Sequence, residues 1–298
     1  MFRFGQREEI NMAIEQAKKF IIMDQYDDAN RIVYDTMSLT IKQKVFNQKS
    51  IELLPAYFIL AEANIGMGGA KLKKAEEFLI AANWNLLKSG ANGNGDDGAA
   101  GGEDTLVTKD ELARFHAALN ITFGRLFMAQ NRPNGHEKAL EKLTQGIYQE
   151  CKEHGPESIY LCKSYFYMGQ LFQQARQLIN AKAFFQKIVQ IWKNHIIQND
   201  LMIMAEYNQI EIPLILYDEA EKHLTIILNW FREELGGYDN ACAECLFTQS
   251  LVAYKRGKAA EALDGMRTAL QEYQNNLGIY DRKTIEVESV IQKIEEQY

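Results

Sequence analysis

Two short cysteine motifs are the first candidates for chemistry in the sequence. Cys242 and Cys245 form a C-x-x-C pair, and Cys151 and His154 form a C-x-x-H pair. Together they hold the four ligands of a zinc site, and a C-x-x-C pair can also act as a redox centre. The motifs belong to different helical repeats, however, and each packed helix adds about 8–10 Å of separation. Because cysteine also suits helix packing, we favour a packing role and predict no metal and no cofactor.

The glycine- and aspartate-rich stretch 89–104 offers two superficial ligand sites. Residues 93–98 match G-x-G-x-x-G, but a dinucleotide fingerprint follows a strand and opens a helix, and the aspartates here would repel phosphate. Positions 1 and 12 of a calcium loop fall on Asn92 and Glu103, but the sixth position is Asp97 where the turn requires glycine. We interpret 89–104 as a flexible insertion.

The rest of the sequence contains no motif of an active site. The remaining histidines are scattered, and neither an H-E-x-x-H helix, a G-x-S-x-G elbow nor a P-loop occurs. The net charge of -7 argues against general binding of a phosphate backbone. There is no apolar leader and no membrane-length apolar run. We therefore expect a non-catalytic protein with no nucleic acid and no membrane among its partners, in a reducing compartment.

Small residues recur at the spacing of tetratricopeptide helix pairs. In such a pair, a small residue in the first helix precedes a small residue in the second helix by 12 positions. Three pairs show this spacing without a gap: Ala17 with Ala29, Gly169 with Ala181, and Ser250 with Ala262. Three looser units are anchored in their second helices at Ala75, Ala139 and Ala220.

The repeats predict the fold class. Only 4 of 298 residues are proline, and no segment alternates with the period of a strand. We predict an all-α protein, a right-handed α-solenoid of about six long helix pairs plus a C-terminal capping helix. It would form one domain over 1–298, interrupted by the insertion at 89–104.

The second repeat resembles a ciliary family. The segments that carry the resemblance are AEANIGMG (61–68), AEEFL (75–79) and ANWNLLK (82–88), with FFQKIVQIW (184–192) as a weaker one. They resemble the tetratricopeptide region of the family of MYND-type zinc-finger-containing protein twelve, which is associated with axonemal inner-arm dynein d. This chain has no cysteine and histidine cluster like that of the MYND finger, so the resemblance implies no zinc here.

The resemblance implies a subunit that docks inner-arm dynein in the axoneme of a cilium or flagellum. Its partners would be the dynein heavy-chain tail and a second tetratricopeptide subunit, with doublet microtubule proteins as further partners, and it would lie in the cytoplasm and axoneme. The alternative is a cytosolic peptide-binding adaptor of kinesin-light-chain or chaperone type. A chaperone clamp needs clustered basic residues, whereas Lys18 and Lys163 are three repeats apart.

The concave face of the predicted solenoid supplies candidate partner-binding residues. In the gapless units, the positions 6 and 3 before the small residue and 1 and 4 after it should point into the groove. These predicted groove residues are Asn11, Ile14, Lys18 and Ile21 in the first unit, Lys163, Phe166, Gln170 and Gln173 in the fourth, and Glu244, Phe247, Leu251 and Tyr254 in the sixth. Their mixed amide, charged and aromatic character suits an extended peptide or a partner helix.

Overall fold

The computed structural model describes residues 2–44, 46–47, 50–92, 108–197, 213–235 and 239–296, with the backbone alone described at 2–7 and 89–92. All regular structure in these residues is helical, so the all-α prediction is confirmed. The chain divides into two compact units, Met1–Pro156 (unit 1) and Glu157–Tyr298 (unit 2). Within each unit consecutive helices pack against one another, which is compatible with an α-solenoid. A single solenoid over the whole chain stays a prediction.

The described residues of unit 1 form three successive helix hairpins. Its helices are α1 (Phe2–Ile22), α2 (Tyr26–Lys42), α3 (Leu54–Met67), α4 (Lys71–Asn92), α5 (Lys109–Gln130) and α6 (Gly135–His154), with a 3-10 turn at Ile51–Leu53. Each helix packs against the next, and α3 also contacts α1 and α5. Glycine ends two of these helices, because Gly68 and Gly155 adopt the positive φ values of 67° and 80° that most residues avoid.

The described residues of unit 2 form six further α-helices. They are α7 (Cys162–Gln174), α8 (Leu178–Ile196), α9 (Leu214–Leu235), α10 (Asn240–Lys255), α11 (Ala259–Leu277) and α12 (Arg282–Glu296), with a 3-10 turn at Ile159–Leu161. Helices α7 and α8 form a hairpin, α10 and α11 form another, and α12 packs on α11. Helix α9 contacts α7, α8 and α10, while α8 and α10 also touch each other directly.

Each of the six predicted repeat units has a small residue in its second helix, and we call these six residues the anchor alanines. All six lie in the cores of the two units. They are Ala29, Ala75, Ala139, Ala181, Ala220 and Ala262. Ala220 lies in α9, and the first helix of that predicted pair would fall within 198–212, outside the described residues. The predicted insertion 89–104 is described only at its first four residues. Residues 89–92 form the last turn of α4, where each added residue gains a helical hydrogen bond, and 93–104 lie outside the described residues.

Close helix contacts account for the small residues of the repeats. A Cβ added at Gly169 of α7 would overlap the ring of Phe185 in α8, and one at Gly124 of α5 would overlap Leu143 in α6. Gly169 therefore lies against the large residue four positions after Ala181 rather than against Ala181 itself. The small side chains set how closely paired helices approach, as interior packing requires.

Candidate partner-binding surface

Four of the twelve predicted groove residues are buried. They are Ile14, Phe166, Phe247 and Leu251. A side chain that is buried against its own chain is not accessible to a partner, so these four belong to the cores of their units. The positions before and after the small residues were derived from an ideal repeat. In an ideal repeat, this side of the first helix is open to solvent.

Helix α9 explains the burial in α7. The ring of Phe166 stacks on His223 of α9, with ring centroids 4.0 Å apart and planes at 17°. Beside it, Lys163 Nζ lies 3.3 Å from Glu219 Oε1 of the same helix. Helix α9 thus covers part of the side of α7 that the sequence assigned to a partner, at Lys163 and Phe166.

Glu244 of α10, another predicted groove residue, is the centre of an ion-pair network. Its carboxylate accepts hydrogen bonds from Lys193 of α8 at 2.9 Å and from Lys283 of α12 at 3.1 Å. Lys193 also lies 3.7 Å from Glu286 of α12. Burial raises the pKa of Glu244, but the two lysines outweigh burial and lower its pKa below the ordinary value of 4.5. This network joins three helices of unit 2.

The other predicted groove residues are at least partly exposed. They are Asn11, Lys18, Ile21, Gln170, Gln173 and Tyr254, in addition to Lys163 and Glu244. Lys18 pairs with Glu15 of its own helix at 2.6 Å. Their role in binding a partner stays a prediction.

A different surface stands out on α4. Ile80, Trp84 and Leu87 are 46%, 60% and 53% exposed, and no other helix in the described residues carries three exposed large apolar side chains. At about 100° per residue, the three lie within about 60° of Trp84 around the helix axis. We call these three residues the α4 stripe. Large apolar side chains gathered on one exposed face mark an interaction site more often than isolated ones do.

The opposite side of α4 holds the helix in unit 1. Ala75, Leu79, Ala82 and Leu86 are buried, and they form the ordinary core face of an amphipathic helix. Helix α4 therefore has two apolar faces, one covered and one open. The second apolar face of α4 can be recognised in the sequence, but the repeat pattern predicted only the covered face.

Charged side chains flank the α4 stripe. Lys73 and Glu77 precede it and Lys88 follows it, all within about 40° of Trp84 around the axis. Within the described residues, neither lysine has an ion-pair partner. The first turn of α4 carries no acidic residue, although the helix begins with Lys71, Leu72, Lys73 and Lys74. The open face of α4 is therefore apolar in its middle and carries a lysine at each end, with Glu77 between Lys73 and the stripe.

The exposed face of α6, also in unit 1, makes contacts within itself. Tyr148 is exposed, but Lys152 Nζ lies over its ring at 4.6 Å from the centroid. Gln145 donates to Glu141 at 3.0 Å and accepts from Lys142 at 3.2 Å. These outward side chains of α6 thus contact one another, whereas within the described residues Lys73 and Lys88 beside the α4 stripe have no such contact.

No protein-family model matches the chain. The α4 stripe and its flanking lysines must therefore be interpreted from their own chemistry. Trp84 and Leu87 belong to the segment 82–88, one of those that carry the resemblance to the ciliary family.

The two cysteine motifs lie in different compact units. Cys151 and His154 belong to α6 of unit 1, while Cys242 and Cys245 belong to α10 of unit 2 and are buried. Burial raises the pKa of both α10 thiols, with the negative charge of Asp239 adding to the effect at Cys242. The neutral thiol is therefore favoured over the thiolate that metal binding and redox exchange require. Across the described ranges, no three histidine, cysteine or acidic side chains are grouped to hold a metal ion.

Among the residues that the structure describes, none of the helices combines the length and apolar character needed to cross a membrane.

Proposed function

We propose that this chain is a non-catalytic protein-interaction scaffold built from right-handed helix pairs of tetratricopeptide type. Burial of the six anchor alanines and the hairpin order of the helices support the repeat type. The observation that carries the function is the α4 stripe, because three large apolar side chains are held open to solvent on a helix whose other face is well packed. A rigid helix that presents such a stripe suits the binding of a protein.

In its specific form, the proposal is that the chain docks inner-arm dynein in the ciliary axoneme. The partners would be the dynein heavy-chain tail and a second tetratricopeptide subunit, with doublet microtubule proteins nearby. The support is the resemblance of segments 61–68, 75–79 and 82–88 to the ciliary family. These segments include part of the α4 stripe, so the resemblance and the exposed surface fall in the same repeat.

A peptide-binding adaptor is the weaker alternative. An adaptor of that kind uses the inner faces of its first helices, where Phe166, Phe247 and Leu251 were predicted to contact the peptide. Their burial removes three of the largest apolar contacts that a groove ligand would have. The partly exposed amides Gln170 and Gln173 are what remains for such a ligand in α7.

Binding to purified inner-arm dynein d tests the proposal. The recombinant chain should comigrate with the dynein in a sucrose gradient, and the endogenous protein should be present in isolated axonemes. The double variant Ile80→Lys/Leu87→Lys should lose at least about 90% of the bound fraction, since charged groups would enter an apolar contact. Tyr148→Lys on α6 is the matched control. Comigration that is equal in both variants would contradict the assignment of the α4 stripe, and absence from axonemes would contradict the dynein role.

A further inference from the structure

We propose that the α4 stripe binds an acidic amphipathic helix of a partner protein. This inference rests on the proposed scaffold function and specifies the chemistry of the partner. Three independent features support it: the helical spacing of the stripe, the exposure of Trp84, and a lysine at each end of the same face that has no ion-pair partner within the described residues.

The spacing fits a helix. Ile80, Trp84 and Leu87 follow the i, i+4, i+7 pattern by which helices interlock their side chains. From Lys73 to Lys88 the face spans 15 residues (88 − 73), or about 22 Å of helix axis. A partner helix of about four turns has the same length. Because the backbone N–H and C=O groups within α4 are paired inside the helix, the surface offers no edge to which a strand could add.

Trp84 is the natural anchor of the contact. It is the only exposed tryptophan of the chain, because Trp192 and Trp230 lie in the core of unit 2. Tryptophan is enriched among the residues that dominate protein interfaces, since it combines a large apolar area with few rotatable bonds. Its neighbours Ile80 and Leu87 would exclude water from the indole once a partner helix lies on the stripe.

Charge selects the partner. Lys73 and Lys88 bracket the stripe without an acidic partner in the described residues, and Glu77 is the one acidic residue on the same face. The lysines in the first turn of α4 also lie at the positive end of the helix dipole, where a cation is unfavourable. In the same unit, α2 and α5 carry acidic residues in their first turns. Carboxylates of a partner would neutralise the excess positive charge at α4.

A second copy of this chain is a poorer occupant. It would bring the same two lysines and one glutamate to the contact, so like charges would predominate across the interface. A partner with apolar residues in the middle and acidic residues at both ends matches the surface in both respects.

Tryptophan fluorescence with two designed peptides tests the inference. The first probe is a four-turn synthetic helix with leucines at i, i+4 and i+7 and glutamates in both terminal turns. The second has the same leucines with lysines in place of the glutamates. The acidic peptide should shift the Trp84 emission to shorter wavelength. Its Kd should be at least about ten-fold lower than that of the basic peptide. Its affinity should fall as salt is raised.

Charge reversal on the protein supplies the matched variants. Lys73→Glu/Lys88→Glu should invert the preference so that the basic peptide binds more tightly, while Lys152→Glu on α6 should leave the preference unchanged. Leu87→Lys should weaken both peptides at least about ten-fold by placing a charge in the apolar contact. Inversion with the first variant and not with the control would establish an acidic partner.

Three results would overturn the inference: equal affinity for the two peptides, no binding of either, or concentration-dependent self-association that Leu87→Lys abolishes. The scaffold function is tested separately by dynein binding. If dynein binding requires the α4 stripe but the acidic peptide does not bind, only the inferred chemistry of the partner is wrong. If stripe variants change neither measurement, the stripe is wrong as the binding surface in both proposals.

Discussion

Lysines occupy opposite environments in α4 of unit 1 and in α8 of unit 2. The side chain of Lys193 in α8 is only 9% exposed and lies between Glu244 and Glu286, at 2.9 and 3.7 Å. Lys73 and Lys88 in α4 are exposed and have no ion-pair partner among the described residues. The same residue type therefore joins helices in one region and remains available to a partner in the other. Position relative to neighbouring helices, rather than composition, decides whether a lysine is buried in an ion pair or exposed to solvent.

The largest expected effect comes from breaking the network of unit 2. Glu244→Ala should destabilise unit 2 by about 3–5 kcal/mol, because it leaves the buried ammonium of Lys193 without its nearest carboxylate. Urea unfolding followed by tryptophan fluorescence measures this, and Trp84→Phe in the background restricts the signal to Trp192 and Trp230 of unit 2.

Glu286→Ala is the control for that measurement. Glu286 lies farther from Lys193, and its side chain is 30% exposed, so its loss should cost about 1 kcal/mol or less. Equal, small losses of stability in Glu244→Ala and Glu286→Ala would show that the ion-pair network contributes little to unit 2. The lysines of α8 and α4 would then differ only in exposure.

We also expect the stability of unit 2 to depend on the close packing of α7 against α8. Gly169→Ala should cost about 1–3 kcal/mol, because the added Cβ overlaps the fully buried ring of Phe185. Gly66→Ala in unit 1 is the matched control. Its Cβ meets the ring of Tyr26, which is partly exposed and therefore less confined than the ring of Phe185. Thermal unfolding of both variants should show the larger shift for Gly169→Ala, and the reverse order would contradict this view of the α7–α8 contact.

Acid should weaken unit 2 through the same charged groups. The pKa of Glu244 is lowered overall because its two lysines outweigh burial, and the pKa of Asp239 is lowered chiefly by its hydrogen bond from Lys182. A carboxyl whose folded pKa lies below its unfolded value stabilises the fold above the unfolded value and loses this contribution as pH falls through the folded pKa. Stability should therefore decline below about pH 4.5, and Glu244→Gln should flatten that decline.

Glu272 provides a control of opposite sign. Burial raises its pKa, and its Oε2 atom has no hydrogen-bond partner in the part of the chain that the structure describes, so the charged form is unfavourable in the folded state. The contribution of Glu272 to the stability of unit 2 increases as pH falls, whereas that of Glu244 decreases. Glu272→Gln should be at least as stable as the wild type at pH 7 in urea unfolding. A marked loss of stability would mean that the carboxylate has a partner at neutral pH.

The smallest stability effects are expected on α4. Lys88→Glu and Leu87→Lys should change the free energy of unfolding by less than about 0.5 kcal/mol, because both side chains are exposed and away from the core face. The same variants should alter partner binding strongly. Calorimetry beside the binding measurement checks the pair, and a loss of stability above about 1 kcal/mol would place these residues in the packing of unit 1.

Much of the core was predictable because helical patterning is local. The six anchor alanines were found from residue type and spacing alone, and all six are buried. Residues three or four positions apart share one side of a helix, so the covered face of each helix can be predicted from its own residues. The 12-residue spacing similarly relates two helices joined by a short turn. These features need no knowledge of distant parts of the chain.

Tertiary structure alone decided which of the remaining faces is covered. Phe166 is buried because α9 lies on it, and Glu244 is paired with Lys193, 51 residues away in the chain. A repeat register derived from neighbouring residues carries no information about such contacts, so the predicted groove included core residues. It also missed the α4 stripe, because Ile80, Trp84 and Leu87 are as apolar as core residues and differ from them only in that none of the described helices covers them. Helix formation is thus determined by local sequence, whereas exposure depends on which distant helix occupies each face.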